Sequence, residues 1–261
     1  MPSRPRIYEV IDSSAMVLSE PRENAEPETQ LLYGDAFEVR EDRGRWLYGA
    51  TVLGGDTGYV LAKSLIPSHS DHTHYVSERW ALLRHAYGFK SRPLKTLPMN
   101  ARVEIVERKG NYLKTKHGLW VFARHLARLD RKLGDYVSVA EKFEGDPYAW
   151  GEMGGEAGLD CSGLVRASLR RFGVHVPHSA NEQRERLGRG LPIDEGLPEL
   201  ERGDLIFWHR HVAIMLDPTW LIHATADHMM TIREPLAEVI ARRNGKKKGE
   251  KKDPILAVNR L

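Results

Sequence analysis

The sequence predicts an α+β protein: two small all-β units followed by a larger mixed domain. Three observations carry this. Up to about residue 130, short runs rich in β-branched and aromatic residues are separated by glycine-bearing turns. The segment G-Y-V…L from Gly58 returns as G-L-W-V…L from Gly118, which marks a tandem repeat of roughly 50–60 residues. After residue 130, helical periodicity comes first and alternating strands second, the α+β order. The expected domains are residues 1–70, 71–130 and 131–261.

Composition narrows the class. Hydrophobic residues make up 41% of the 261, enough for sizeable cores. The net charge is only +3, so the balance gives no reason to expect a nucleic-acid partner. The basic run Lys246, Lys247, Lys248, Lys251 and Lys252 reads as a solvated loop. One cysteine excludes an intrachain disulfide and fits a reducing compartment. The opening M-P-S-R-P-R-I-Y-E-V lacks the apolar core of a secretion signal, and no later stretch approaches the roughly 18 apolar residues of a membrane span. A cytoplasmic location without membrane association is therefore expected.

Within residues 8–67 the expected strands are Leu31–Val39, Trp46–Val52 and Gly58–Ala62, punctuated by Gly44 and Gly54-Gly55-Asp56. Pro67–Tyr75 is polar and linker-like. His72 and His74 lie in it, but no third ligand accompanies them, so no metal is expected. In residues 80–129, Pro93 and Pro98 precede the alternating strand Ala101–Val106, and turns follow at Gly110-Asn111 and Gly118.

The third region opens with a short helix, Gly134–Phe143. The helix that matters most follows, from Asp160 to Gly173. Cys161, Val165, Leu169 and Phe172 recur at helical spacing. Asp160 is placed to cap the N-terminus, Arg170 and Arg171 suit the C-terminal dipole, and Gly173 is the stop. The lone cysteine thus sits at the positive end of a helix, which lowers a thiol pKa and favours the nucleophilic thiolate. The plain alternative is a buried cysteine packing as a small hydrophobe. Ser179 is placed to cap a further helix. Leu205–Trp208, His211–Leu216, Trp220–Ala224 and Thr231–Arg233 read as strands.

A thiolate needs a base, and the base needs an orienting group. Along His211–Leu216 the residues Val212, Ile214 and Leu216 face one way, His211, Ala213 and Met215 the other. Asp217-Pro218-Thr219 reads as a three-residue turn, which sets Ala213 opposite His223. His211 and His223 then become diagonal neighbours on one face. A slip of one residue would separate them.

Six motifs carry a family resemblance: Y-A-W-G at 148–151, L-D-C-S-G-L-V at 159–165, G-V-H-V-P-H-S-A-N-E-Q at 173–183, G-D-L-I-F-W at 203–208, H-V-A-I-M-L at 211–216 and L-I-H-A at 221–224. Residues 132–240 resemble an NlpC/p60 domain, a family of papain-like cysteine peptidases acting on bacterial wall peptides. The two β units resemble bacterial SH3-like barrels. The resemblance implies Cys161 as nucleophile, His211 as general base, His223 as its orienting partner and Tyr148 as support for the oxyanion or thiol. No cofactor is implied. Barrels ahead of such a domain resemble the γ-D-glutamyl-L-diamino acid endopeptidases, in which a barrel walls off the cleft. Those enzymes admit stem peptides with a free N-terminal L-alanine. The implied substrate is a peptidoglycan-derived peptide such as L-Ala-γ-D-Glu-diaminopimelate, contacted by Asp160, Ser162 and Trp150. Glu152 and His178 depart from the family's usual Gly and Arg at those places. An exported general wall hydrolase, a non-catalytic wall-peptide-binding protein and acyl transfer to an amine are the alternatives left open. So are lysine in place of diaminopimelate, the barrel residues lining the cleft, and the oligomeric state.

Overall fold

The computed structural model describes residues 6–68, 70–131, 134–174, 176–193, 197–245 and 252–261. The lysines at 246–248 and 251 lie outside them. The chain forms two compact units, residues 1–132 and 133–261.

The first unit is almost entirely β. Its N-terminal half holds β1 (Arg6–Val10), β2 (Ser14–Leu18), β3 (Pro27–Leu32), β4 (Ala36–Arg43), β5 (Trp46–Thr51), β6 (Thr57–Leu61) and β7 (Leu65–Ile66), in the sheet order β3-β2-β6-β5-β4-β1-β7. Alternate residues such as Val17, Leu31, Phe37, Val39, Leu47 and Val60 enclose its core. The expected strand Leu31–Val39 is in fact the end of β3 and the start of β4. Asp35 breaks it by accepting the Leu32 N–H at 2.8 Å, and Gly34 takes a φ of 84°.

The C-terminal half holds β8 (His74–Val76), β9 (Trp80–Arg84), β10 (Pro93–Pro98), β11 (Arg102–Val103), β12 (Ile105–Lys109), β13 (Tyr112–Thr115), β14 (Trp120–Phe122) and β15 (Leu126–Arg128). They form a five-stranded sheet, β10-β9-β14-β13-β12, and a three-stranded one, β11-β8-β15. The expected strand Ala101–Val106 is split between β11 and β12, one in each sheet.

The two halves join in one unit because Tyr33 of the first packs into the core of the second. Its carbonyl also accepts the Arg102 N–H at 2.9 Å. A Cβ at Gly34 would lie 2.2 Å from the Arg102 carbonyl oxygen, so only glycine permits this approach.

The second unit carries α1 (Tyr136–Ala140), the hairpin β16 (Met153–Gly155) and β17 (Gly158–Leu159), α2 (Cys161–Leu169), α3 (Ala180–Arg186) and β18 (Arg189–Leu191). After them come β19 (Leu205–Trp208), β20 (His211–Met215), β21 (Trp220–Thr225), β22 (Met230–Pro235), α4 (Leu236–Asn244) and β23 (Ala257–Arg260). The antiparallel sheet runs β18-β23-β19-β20-β21-β22, with α2 packed on β20 and β21. The unit, like the whole chain, is α+β. The sequence did not foresee α4 or β23. The C-terminal strand inserts between β18 and β19, and Asn259 donates to the carbonyls of Arg184 and Leu187 that end α3. Among the described residues no helix is long and apolar enough to cross a membrane.

Candidate active site

Helix α2 begins at the cysteine because Asp160 ends the preceding extended chain and caps it. Its Oδ1 accepts the Gly163 N–H at 2.7 Å and the Ser162 hydroxyl at 2.9 Å; its Oδ2 accepts the Gly151 N–H at 2.8 Å. One carboxylate therefore fixes the helix start, Ser162 and the Tyr148–Gly151 loop together. The helix ends in a short 3₁₀ turn, Arg170–Phe172, and Gly173 with φ 73°, the left-handed stop expected there. Gln183, fully buried on α3, donates to the carbonyls of Ser162 and Pro177 and ties the third motif to this helix. At the departure site His178, the ring accepts from Arg166 of α2 at 3.0 Å.

The strands supply the second component. Ile214 pairs with Ile222 and Met215 with Leu221, the register that the three-residue turn predicts. His211 and His223 accordingly share a face, and His211 Nε2 lies 2.9 Å from His223 Nδ1. Continuing outward, His223 Nε2 lies 2.8 Å from Glu234 Oε1. Arg242 of α4 clasps that carboxylate, donating to Oε2 at 2.6 Å and to Oε1 at 2.9 Å, and donates to Asp227 at 3.0 Å.

Glu234 assigns the protons along this line. Burial works to raise its pKa, but the hydrogen bonds from His223 and Arg242 hold it at about 2. An ionised carboxylate only accepts, so His223 Nε2 carries the hydrogen. His223 Nδ1 is then an acceptor and His211 Nε2 donates to it. His211 Nδ1, facing away from His223, is left unprotonated and basic. Burial pushes His223 down despite Glu234, and burial with the nearby Arg243 pushes His211 well below the ordinary imidazole range.

The thiol lies against the strand backbone that carries His211. Cys161 Sγ donates to the Arg210 carbonyl at 3.9 Å and takes the Val212 N–H, so it touches the backbone on both sides of His211. The sequence predicted a lowered thiol pKa; the structure gives the reverse. Burial, reinforced by the Asp160 carboxylate, pushes Cys161 up to about 12 despite the N–H groups of Val212 and Ser162. A helix terminus contributes only about 1–2 kcal/mol, and desolvation outweighs it here. Both shifts favour the uncharged forms, thiol and neutral imidazole.

Tyr148 is held beside Cys161 by a bridge to Leu159. Burial, and then the proximity of Cys161 and Asp160, keep its phenol protonated. Trp150, two residues on, is 54% exposed at the rim. Among the described residues no cluster of histidines, cysteines and carboxylates is arranged to hold a metal. Glu234 and Arg242 escaped the sequence reading, yet Glu234 continues the same-face alternation as the diagonal neighbour of His223, across the pair His223↔Ile232.

A thiol at a helix N-terminus, with an imidazole line running from a sheet, is the arrangement of the papain-like thiol class. Residues 145–245 match the NlpC/P60 family and residues 17–65 match the bacterial dipeptidyl-peptidase SH3 domain, so the chain carries an NlpC/P60 domain behind an SH3 domain. Over 72 residues it is 45% identical to the bifunctional muramidase/DL-endopeptidase CwlT of Bacillus subtilis, covering 28% of this chain and 20% of that protein. Dipeptidyl-peptidase 6 of Lysinibacillus sphaericus is 25% identical over 242 residues, 83% of this chain and 86% of that one. The crystal structure of an NlpC/P60 family protein from Bacillus cereus shares the fold, with a TM-score of 0.75 over 97% of this chain and 99% of that one at 18% identity.

Proposed function

We propose that the chain is a cysteine endopeptidase that hydrolyses the γ-D-glutamyl–diamino acid bond of peptidoglycan stem peptides bearing a free N-terminal L-alanine. The observation that carries this reading is the line His211–His223–Glu234, with the Cys161 thiol bound to the backbone at Arg210 and Val212, on either side of His211. The likeness to dipeptidyl-peptidase 6 along most of both chains supports the substrate class. We read residues 71–130 as a second SH3-like barrel. The working compartment is the cytoplasm, where a lone thiol stays reduced and released stem peptides are recycled.

In this mechanism the Cys161 proton passes to His211 Nδ1 as sulfur attacks the γ-carbonyl carbon. The carbonyl oxygen becomes an oxyanion, received by the Tyr148 hydroxyl and the Cys161 backbone N–H at the helix terminus. The imidazolium returns the proton to the leaving amine, and a thioester remains. Water then gives its proton to His211 and its oxygen to the thioester carbon, releasing L-Ala-γ-D-Glu and restoring the thiol. His223 orients the base, and Glu234 fixes the tautomer of both rings.

Incubation with L-Ala-γ-D-Glu-diaminopimelate, read by mass spectrometry, tests the reading. The expected products are L-Ala-γ-D-Glu and free diaminopimelate, absent with Cys161→Ala. Cleavage of intact sacculi at a rate comparable to the tripeptide would instead establish a general wall hydrolase.

A further inference from the structure

The mouth of the thiol site carries a cation that the steps above do not use. Arg210 stands in the two-residue turn between β19 and β20, closed by the pair Trp208↔His211. Its φ of 56° lies in the left-handed region, where glycine would sit without strain. The turn is anchored independently of its side chain: Asp253 accepts the His209 N–H at 3.1 Å and Arg243 Nη1 at 2.5 Å. The two other arginines near the histidine line are thus paired with carboxylates, Arg242 with Glu234 and Asp227, Arg243 with Asp253. Arg210 is exposed and, among the described residues, forms no ion pair. Its guanidinium lies 5.8 Å from the ring centre of the exposed Trp150. Its own carbonyl is the one that receives the Cys161 thiol. A cation over an indole, without an ion-pair partner among the described residues and on the residue next to the base, is poised for an anion of the substrate.

The proposed substrate has an anion close to the reacting carbon. A γ-linked D-glutamate leaves its α-carboxylate free, and only two methylene groups separate the attacked carbonyl from the carbon that bears it. We propose that Arg210, lying over Trp150, binds this α-carboxylate and makes the enzyme selective for D-isoglutamate over amidated D-isoglutamine peptides. The inference rests on the functional reading above. A guanidinium presents paired N–H groups that match a carboxylate, and the face of the indole attracts the cation to this side of the site. The amidated substrate loses the charge and turns an NH₂ donor toward the guanidinium donors.

The test compares kcat/KM for L-Ala-γ-D-Glu-diaminopimelate and the same peptide amidated at the α-carboxylate. Wild-type enzyme should prefer the free carboxylate by about tenfold or more, the effect of a charged hydrogen bond at a half-open site. Arg210→Ala should lose that preference, mainly through KM, and Arg210→Lys should keep part of it. Arg210→Gly removes charge and backbone strain together, so it should fold well and lose the preference equally. Equal turnover of both peptides by the wild type overturns the inference alone, as does an undiminished preference in Arg210→Ala and Arg210→Gly. Turnover of neither peptide overturns the functional reading, and this inference with it.

Discussion

Glu234 accepts the Nε2–H of His223 at 2.8 Å, and that single contact decides which nitrogen of His211 is free to act as a base. Glutamine at 234 keeps the shape but offers an NH₂ as well as a carbonyl, and it removes the charge that opposes desolvation of the imidazole. Glu234→Gln should therefore lower kcat by about 10- to 100-fold with little change in KM, as expected for a group that orients another. It should also move the acid limb of the kcat/KM profile to lower pH, because the ring line loses the Glu234 carboxylate. A loss of stability with the limb unmoved would reduce Glu234 to a structural role.

Cys161 and His211 titrate in opposite directions from their ordinary values, and the combination is testable. With the thiol up at about 12 and the imidazole well down, little thiolate is present near pH 7. Iodoacetamide alkylation should be slow at neutral pH and rise about tenfold per pH unit above it, following the thiolate fraction. The acid limb of kcat/KM should report loss of the His211 proton and lie below pH 6.5, the ordinary imidazole value. Fast alkylation that stays flat from about pH 5 to 9 would establish a resting thiolate–imidazolium pair and reject this assignment.

The cysteine helix was legible because its caps are local: Asp160, Gly173 and the spacing of Val165 and Leu169 need no partner elsewhere in the chain. The histidine pair was legible because a turn of known length fixes a strand register. Tertiary terms hid the rest. Glu234 reads as an outward charge until Arg242 arrives from α4 to neutralise it. The thiol pKa depends on burial, which a helix terminus does not reveal. The strand β23 reaches the centre of its sheet from the far end of the chain, a pairing no local pattern encodes. The expected strand Leu31–Val39 is broken by the local turn in which Asp35 accepts the Leu32 N–H, and Gly34 of that turn is where Arg102 of the other half comes close.

Gly163, in the first turn of α2, reverses the usual preference of helices. Alanine is ordinarily better than glycine inside a helix by about 1 kcal/mol. Here a Cβ would lie 2.1 Å from the Glu152 carbonyl oxygen, which also accepts the Asp160 N–H at 3.3 Å. The clash is with backbone, so the loop carrying Tyr148 and Trp150 must move away from Cys161. Gly163→Ala should lower stability by about 1–3 kcal/mol, the usual cost of overpacking, and reduce kcat sharply. A denaturant midpoint at or above wild type would show that the loop yields freely.

Asp160 was expected to serve both as helix cap and as partner for the substrate's free ammonium, and the structure shows how its oxygens are committed. Three donors already converge on them, from Gly151, Ser162 and Gly163, and one acceptor position on Oδ2 remains. Asparagine has a single carbonyl. If that oxygen keeps Gly163 and Ser162, its NH₂ must face the Gly151 N–H, donor against donor. Asp160→Asn should therefore cost about 1–3 kcal/mol of stability with no substrate present, measurable as a lower denaturant midpoint. The remaining position on Oδ2 suits an ammonium, for which a charged contact is worth about 2–3 kcal/mol, or roughly 30- to 150-fold. N-acetylating the alanine of the tripeptide should lower wild-type kcat/KM by about that factor. The Asn variant, already lacking the charge, should be far less sensitive to acetylation, since two changes that remove one interaction do not add. An acetylation penalty of full size in Asp160→Asn would assign this carboxylate to the cap alone and place recognition of the amine on another group.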